Sequence, residues 1–144
     1  MICTFFGHRD TPESVRILLR EVLLNLIENQ GVRQFYVGNQ GNFDAMTHSL
    51  LAELEHSYGI RYEVVLAYMP KKEGGLHDDN HTLLPEGIET VPQRFAIDRR
   101  NRWMLEHSDI VVAYVTRSFG GAAKFKQLAQ RKKKTVIELA GAAK

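Results

Sequence analysis

Residues 110–122 read IVVAYVTRSFGGA, an apolar run that ends in a polar loop with two adjacent glycines. The same order occurs twice earlier, because residues 2–10 read ICTFFGHRD and residues 35–44 read FYVGNQGNFD. Each run is followed by a helical pattern. Strands that alternate with helices predict a mainly parallel sheet, whose loops gather at the carboxyl edge of the strands. Glycine loops that open helices also suit phosphate groups, so this edge is predicted to hold a nucleotide-type pocket.

The chain is predicted to be an α/β protein with a single Rossmann-like three-layer sandwich. Five strands are expected, at residues 2–6, 34–37, 62–69, 110–115 and 135–139. The first helix has an apolar stripe from Val15 to Ile27, with Thr11 as the expected N-cap, Pro12 at its first position and Gly31 after its end. Further helices are expected from about Phe43, from about 94 to 107 and from about 122 to 132. Right-handed crossovers favour the strand order 3-2-1-4-5, which places the first and third glycine loops beside one crevice.

The length of 144 residues predicts one domain covering residues 1–144. Residues 71–92 show no sustained period and are predicted to form a long loop or lid. Residues 140–144 are expected to fray. Cys3, the single cysteine, lies in the first predicted strand and is expected to be a buried thiol.

The charge and hydropathy of the chain argue against a nucleic-acid partner and a membrane span. The formal net charge of +2 makes a nucleic-acid partner unlikely, and no apolar stretch reaches the ~20 residues of a membrane span. The basic run at residues 131–134 is interpreted as a solvated helix end, with an acidic or nucleic-acid partner as the alternative. No secretory signal is visible, and a cytoplasmic bacterial protein is expected.

The loop at residues 38–44 is the strongest local signal. Gly38 and Gly41 let the backbone bend and approach a ligand, with Asn39 and Phe43 beside them. Asp44 either contacts the ligand or only caps the following helix. The loop is neither a dinucleotide fingerprint nor a P-loop, which argues against a standard NAD dehydrogenase or NTPase.

Two further loops lie at the same predicted edge. In Gly7-His8-Arg9, the arginine can clamp a phosphate and the histidine can contact phosphate or base or carry a proton; alternatively Arg9 pairs with Asp10 or Glu13. The loop with Ser118, Gly120, Gly121 and Ala122 exposes backbone N–H groups at a helix start, or only packs closely against the sheet. No metal site or cofactor is predicted, because His77, Asp78, Asp79 and His81 match no established ligand spacing.

Four motifs in order resemble the SLOG superfamily. They are Gly7-His8-Arg9, then Gly38 and Gly41 with Phe43-Asp44, then Arg100-Asn101 with Met104 and Asp109, then Gly120-Gly121-Ala122. More narrowly, the chain is similar to the small bacterial YpsA-like branch. The resemblance implies a Rossmann-like fold that binds nucleotides or nucleotide-derived ligands. The superfamily includes LOG-type phosphoribohydrolases, DprA/Smf proteins that handle DNA, and domains proposed to sense nucleotides.

The comparison with LOG-type hydrolases shows four departures, of which the last changes the chemistry. Arg100, Met104 and Asp109 match the first hydrolase motif, R-K-x-x-M-x-x-x-x-D, and Gly120 and Gly121 match part of the second, P-G-G-x-G-T-x-x-E. Phe119, Ala123, Lys124 and Gln127 replace its proline, third glycine, threonine and glutamate. Gln127 cannot ionise and cannot act as the family's carboxylate does.

The sequence therefore predicts a protein that binds a nucleotide-derived small molecule, as a sensor or ligand-binding protein. The alternative is a phosphoribohydrolase or N-glycosidase, with Asp44 and Arg100 as candidate catalytic residues. A DNA-associated module is the third hypothesis, and the weak net charge disfavours it. Arg100 and Asn101 are expected to face the crevice from the helix before the fourth predicted strand. A homodimer is expected only by analogy with the superfamily.

Overall fold

The computed structural model describes residues 1–68 and 81–142. Its elements follow one another as β1 (Ile2–Gly7), α1 (Val15–Glu28), β2 (Gln34–Val37), α2 (Gly41–Tyr58), β3 (Arg61–Val65), β4 (Thr82–Leu83), a 3-10 helix (Ile88–Thr90), α3 (Gln93–Glu106), β5 (Ile110–Tyr114), α4 (Gly121–Arg131), β6 (Thr135–Glu138) and α5 (Leu139–Ala142). The alternation of strands and helices confirms the predicted α/β class.

The described residues form one six-stranded parallel sheet in the order β4-β3-β2-β1-β5-β6. The prediction of about five strands was one short, because the two-residue strand β4 pairs with the edge of β3 at Val64 and Val65. The other five strands follow the predicted order. β1 lies between β2 and β5, so the loops after β1 and β5 meet at one point of the carboxyl edge.

Helices cover both faces of the sheet. Successive residues of a strand point to opposite faces, so Phe5 joins the core under α1 and α2, whereas Phe6 joins the core under α3 and α4. The Phe6 ring stacks on Phe125 of α4 at a centroid distance of 5.3 Å. Each face therefore holds its own apolar core, and the two cores fix the helix starts over the carboxyl edge of the sheet.

Several predicted boundaries were wrong for local reasons. Thr11 does not cap α1, because its hydroxyl donates to the His8 carbonyl oxygen at 2.6 Å and the helix begins only at Val15. The third strand ends at Val65 rather than at 69. The predicted last strand stops at Glu138, one residue early, and residues 139–142 form α5. Residues 140–142 are thus helical where a frayed tail was expected, and residues 143 and 144 lie outside the described residues.

The predicted loop at residues 71–92 is only partly described. Residues 69–80, which include His77, Asp78 and Asp79, lie outside the described residues. From residue 81 onward the segment contains β4 and the 3-10 helix, with Ile88 buried against the rest of the protein. Among the helices that the structure describes, none is both long enough and apolar enough to cross a membrane.

Candidate functional site: a cleft at the carboxyl edge of the sheet

A cleft of about 300 Å³ opens where the loops after β1, β2 and β5 meet α3. This volume is at the small end of the range of ligand sites, roughly 300–1,000 Å³. Its described lining consists of Phe5, Phe6, Gly7, His8, Arg9, Gln40, Asp44, Ile97, Arg100, Asn101, Met104, Arg117, Gly120, Gly121 and Ala122. The cleft therefore lies at the strand edge where the sequence predicted a pocket.

Nine of the fourteen predicted ligand-binding residues line the cleft: Gly7, His8, Arg9, Asp44, Arg100, Asn101, Gly120, Gly121 and Ala122. The other five, Gly38, Asn39, Gly41, Phe43 and Ser118, are absent from the described lining. Sequence reasoning did not single out Gln40, Ile97 or Arg117 as site residues. A signal for Arg117 was available, because it lies in the third glycine loop, three residues before Gly120.

Gly41 joins two loops to each other rather than approaching the cleft. Its φ is +88°, and a Cβ added there would lie 2.5 Å from the Cα of Arg9. The Asn42 N–H donates to the Arg9 carbonyl oxygen at 2.8 Å. Gly41 therefore has a packing role, which sets Arg9 against the start of α2, and the ligand contact expected at Gly41 stays a prediction.

Phe43 is a core residue under the end of β1. It is fully buried, and a Cβ on Gly7 would lie 2.2 Å from its ring. The absence of a Cβ at Gly7 is thus required by the Phe43 ring. Ser118 is exposed outside the described lining, next to Phe119, whose side chain is 69% exposed.

Arg100 is a buried cation at the closed end of the cleft. It is 1% exposed, its Nη1 donates to the Val65 carbonyl oxygen at 2.9 Å and to Asn39 Oδ1 at 3.1 Å, and its Nε donates to Asn101 Oδ1 at 2.9 Å. These acceptors are neutral, and burial lowers the pKa of the guanidinium. Asn39 therefore lies outside the cleft lining and orients the Arg100 guanidinium.

Asp44 lies beside Arg100. A Cβ on Gly38 would lie 2.8 Å from Asp44 Oδ2 and 3.1 Å from Arg100 Cζ, so Gly38 leaves room for both side chains. Oδ2 also accepts the Gln40 N–H at 2.9 Å, which is the capping role considered for this carboxylate. Burial raises the pKa of Asp44 to about 6, against the opposing effects of the Gln40 N–H, Arg100 and Arg9.

His8 is held as a neutral imidazole. Its Nε2 accepts the Thr116 N–H at 2.9 Å, so the ring proton of the neutral form sits on Nδ1. Burial lowers the pKa of His8, and the charge on Arg117 lowers it further. His8 thereby ties the loop after β5 to the end of β1.

Two more arginines stand at the mouth of the cleft. Arg9 is exposed, and its predicted alternative partner Asp10 instead accepts two bonds from Arg117, at 3.0 and 3.3 Å. Glu13, the other alternative, lies 3.7 Å from Arg16. Within the described residues, no carboxylate forms an ion pair with Arg9.

Helix α4 begins at the cleft. Gly120 has φ +96° and ψ 174°, a conformation that is essentially restricted to glycine. A Cβ on Gly121 would meet no atom within 4 Å, so close packing does not require glycine there. The first N–H groups of a helix have no partner within the helix, and the residues Gly121 and Ala122 that carry two of them line the cleft. Gln127, two turns along, is exposed and outside that lining.

Comparisons with solved structures support the fold at low sequence identity. DNA processing protein A (DprA) from Streptococcus pneumoniae matches 94% of this chain with a TM-score of 0.70 and 15% identity. The chain spans about half the length of that protein, 49%. The molybdenum cofactor carrier protein from Chlamydomonas reinhardtii matches 95% of this chain and 75% of its own, with a TM-score of 0.61 and 19% identity. No protein-family model matches the chain, and no curated sequence matches it significantly.

These similarities confirm the Rossmann-like fold that the sequence resemblance implied, a fold shared with DprA. At identities this low, the matches show a shared fold but do not establish a shared ligand. Assignment to the YpsA-like branch stays a prediction. Among the described residues, no group of three or more His, Cys, Asp or Glu side chains is arranged to hold a metal ion.

Proposed function

We propose that this protein binds a nucleotide or nucleotide-derived small molecule in the cleft, as a sensor or ligand-binding protein. The observation that carries the proposal is the excess of positive charge in a small, partly closed site. Arg9, Arg100 and Arg117 line the cleft together with the first residues of α4, and Arg117 is paired with Asp10. Asp44 is the one carboxylate in the described lining. A phosphate would reduce this excess and would accept bonds from groups that are already oriented.

The two ends of the cleft suit different parts of such a ligand. The mouth combines Arg9 with the N–H groups of Gly121 and Ala122, which is where a phosphate would bind. The closed end holds Asp44, whose second oxygen would accept from a ribose hydroxyl. The apolar side chains of Ile97 and Met104 line the wall contributed by α3 and would pack against a sugar or base.

A phosphoribohydrolase or N-glycosidase is the second candidate, and Asp44 is the observation that favours it. A carboxylate in the cleft with a pKa near 6 can stabilise developing positive charge on a sugar or accept a proton near neutral pH. The Gln40 N–H would then hold Asp44 in place, and the nearby charge of Arg100 would favour its ionised form. This reaction class stays secondary, because Gln127 occupies the position of the hydrolase glutamate.

A nucleotide panel tests the proposal. The purified protein is titrated by calorimetry with nucleoside monophosphates, diphosphates, cyclic nucleotides and the matching nucleosides, and mass spectrometry follows both protein and solution. Binding of an intact phosphate-bearing ligand supports a sensor or ligand-binding protein, and released base supports the hydrolase. Absence of binding by every member contradicts the nucleotide proposal.

Two variants locate the ligand. Gly121→Val places a branched side chain into open space in the cleft, so it should leave folding intact and weaken nucleotide binding at least tenfold. Ala52→Val, at an exposed position of α2, is the matched control for adding valine to a helix.

Arg9→Ala should weaken the binding of a nucleotide by about tenfold or more and should hardly change the binding of its nucleoside. The reason is that a charge-assisted hydrogen bond contributes about 1.5–3 kcal/mol. Equal effects on both ligands would remove Arg9 from the phosphate site.

A further inference from the structure

Asp44, which is partly buried, and Arg100, which is fully buried, carry opposite charges but lack direct ion-pair contact. Asp44 Oδ2 and the Arg100 guanidinium both lie about 3 Å from the position of a Cβ on Gly38, so they are less than about 6 Å apart. Yet, within the described residues, Arg100 donates its hydrogen bonds to three neutral oxygens. Asp44 therefore acts on the cleft as a nearby negative charge and does not fully neutralise Arg100.

The charge on the cleft depends on this one carboxylate. The groups that face Asp44 are Arg100 from α3, Arg9 from the loop after β1, and the Gln40 N–H at the start of α2. The other charged or titratable groups at the cleft are His8, whose Nε2 is occupied by the Thr116 N–H, and Arg117, which is paired with Asp10. Protonation of Asp44 therefore leaves Arg100 and Arg9 with no carboxylate in the described lining.

We propose that Asp44 is a specificity-determining residue that limits how much negative charge the cleft accepts. This inference rests on the proposed function, because it concerns the same ligand site. When Asp44 is ionised, its charge and the charge of a bound anion share one cleft of about 300 Å³. They are then separated by less than a Debye length, roughly 10 Å at 0.1 M salt, so salt screens their repulsion little. Ionised Asp44 favours a ligand part that donates hydrogen bonds and disfavours a second anionic group.

The pKa of Asp44, about 6, places the ionisation of this carboxyl group near neutral pH. By linkage, a bound anion raises the pKa of Asp44 further, and protonated Asp44 binds anions more tightly. Anion affinity should consequently fall as the pH rises through this range. This pH dependence of anion affinity arises because Asp44 takes up a proton when the anion binds.

Inorganic sulfate is a suitable probe, because its charge is constant between pH 5.5 and 7.5. Titration followed by the backbone amide resonances of Gly121 and Ala122 reports binding at the cleft and excludes general salt effects elsewhere. In the wild type, the dissociation constant should be about five- to tenfold higher at pH 7.5 than at pH 5.5. In Asp44→Asn, which can still accept the Gln40 N–H, it should equal the low wild-type value at both pH values.

The outcomes separate this inference from the proposed function. If sulfate moves neither amide resonance in the wild type, the phosphate site fails, and this inference fails with it. If sulfate binds with equal affinity at both pH values, or if Asp44→Asn keeps the pH dependence through His8, only the role of Asp44 is overturned. Should Asp44→Asn fail to fold, the carboxyl carbon-13 resonance of wild-type Asp44 is titrated instead. Saturating sulfate should raise its midpoint, and an unchanged midpoint contradicts the proposal.

Discussion

At the scale of single residues, the glycines of the loops have different physical roles. Gly41 and Gly31 both have positive φ, +88° and +71°, but only Gly41 faces another chain segment, at 2.5 Å from the Arg9 Cα. Gly121 faces open space. Substitutions at these three glycines therefore measure different effects. Gly31 reports the conformational cost, Gly41 adds a packing cost, and Gly121 reports the effect on a ligand.

Gly41→Ala should destabilise the protein much more than Gly31→Ala. Both variants force alanine into the left-handed region, which costs about 1–2 kcal/mol. Gly41→Ala also drives its Cβ into the Arg9 backbone, which adds roughly 1–3 kcal/mol. Urea unfolding of the two variants measures the difference, and equal losses of stability would show that the two loops do not pack as described.

Asp44 should make stability fall as the pH rises. Its pKa is raised from 3.8 to about 6 in the folded state, so the folded protein holds the proton between these values and the unfolded chain does not. The contribution to stability is full below the unfolded value and is lost as the pH passes the folded value. At about 1.4 kcal/mol per pKa unit, the loss is about 2–3 kcal/mol.

The Asp44→Asn variant isolates this effect from other carboxylates. Asp10 and Asp98 have lowered pKa values through their partners Arg117 and Lys124, so their contributions have the opposite sign. They are present in both proteins and cancel in the difference. The stability of Asp44→Asn relative to wild type should rise between pH 4 and pH 7, and a difference that stays constant or falls contradicts the raised pKa.

Residue types at the cleft were predictable, but their roles were only partly so. Arg9, Arg100 and Gly121 follow from position in a motif and from the strand edge. The packing roles of Gly41 and Phe43 were not predictable, because a glycine has the same sequence signature whether it faces a ligand or another loop. The raised pKa of Asp44 depends on burial by other elements, which a single sequence does not specify.

At the scale of elements, the end of β1 packs directly on the start of α2. Gly7 lies over the Phe43 ring, which fixes how closely the strand and helix approach. Two loops of the cleft, those after β1 and β2, take their relative position from this contact. The geometry of the cleft therefore depends on a pair of core residues as well as on the residues that line it.

Gly7→Ala and Phe43→Leu should show strong coupling. Gly7→Ala alone places a Cβ inside the ring and should cost roughly 1–3 kcal/mol or more. Phe43→Leu alone leaves a small cavity, with a cost below the ~3–5 kcal/mol of a full truncation. Because the smaller side chain makes room for the Cβ, the double variant should be more stable than the sum of losses by about 1 kcal/mol or more. Additive losses in chemical denaturation would place the two residues apart.

The two elements that sequence analysis failed to predict, β4 and α5, are both short. β4 has two residues and exists through pairing with β3, and α5 has four residues, with Leu139 fully buried. Neither is long enough to show a period of its own. Long stripes such as Val15–Ile27 were predictable, because many apolar positions repeat with helical spacing.

At the scale of the whole molecule, the topology gathers the cleft from distant parts of the chain. β1 is flanked by β2 and β5, so residues near 8, 40 and 120 meet although they are far apart in sequence. Three arginines line the cleft at this edge, while the net charge of the chain is only +2. Arginines gathered at one edge of the sheet suit the small anionic ligand that we propose.

The wild-type protein should release little or no free base from nucleoside monophosphates. Cleavage of an N-glycosidic bond develops positive charge on the sugar, which a nearby carboxylate stabilises and an amide does not. Gln127 is exposed outside the described lining, so Gln127→Glu should raise base release only slightly. Asp44 is the one carboxylate in that lining, so any wild-type turnover should disappear in Asp44→Asn while nucleotide binding remains. Chromatography of the reaction mixture measures free base directly. Rapid wild-type release that persists in Asp44→Asn would overturn both the ligand-binding proposal and the assignment of chemistry to this cleft.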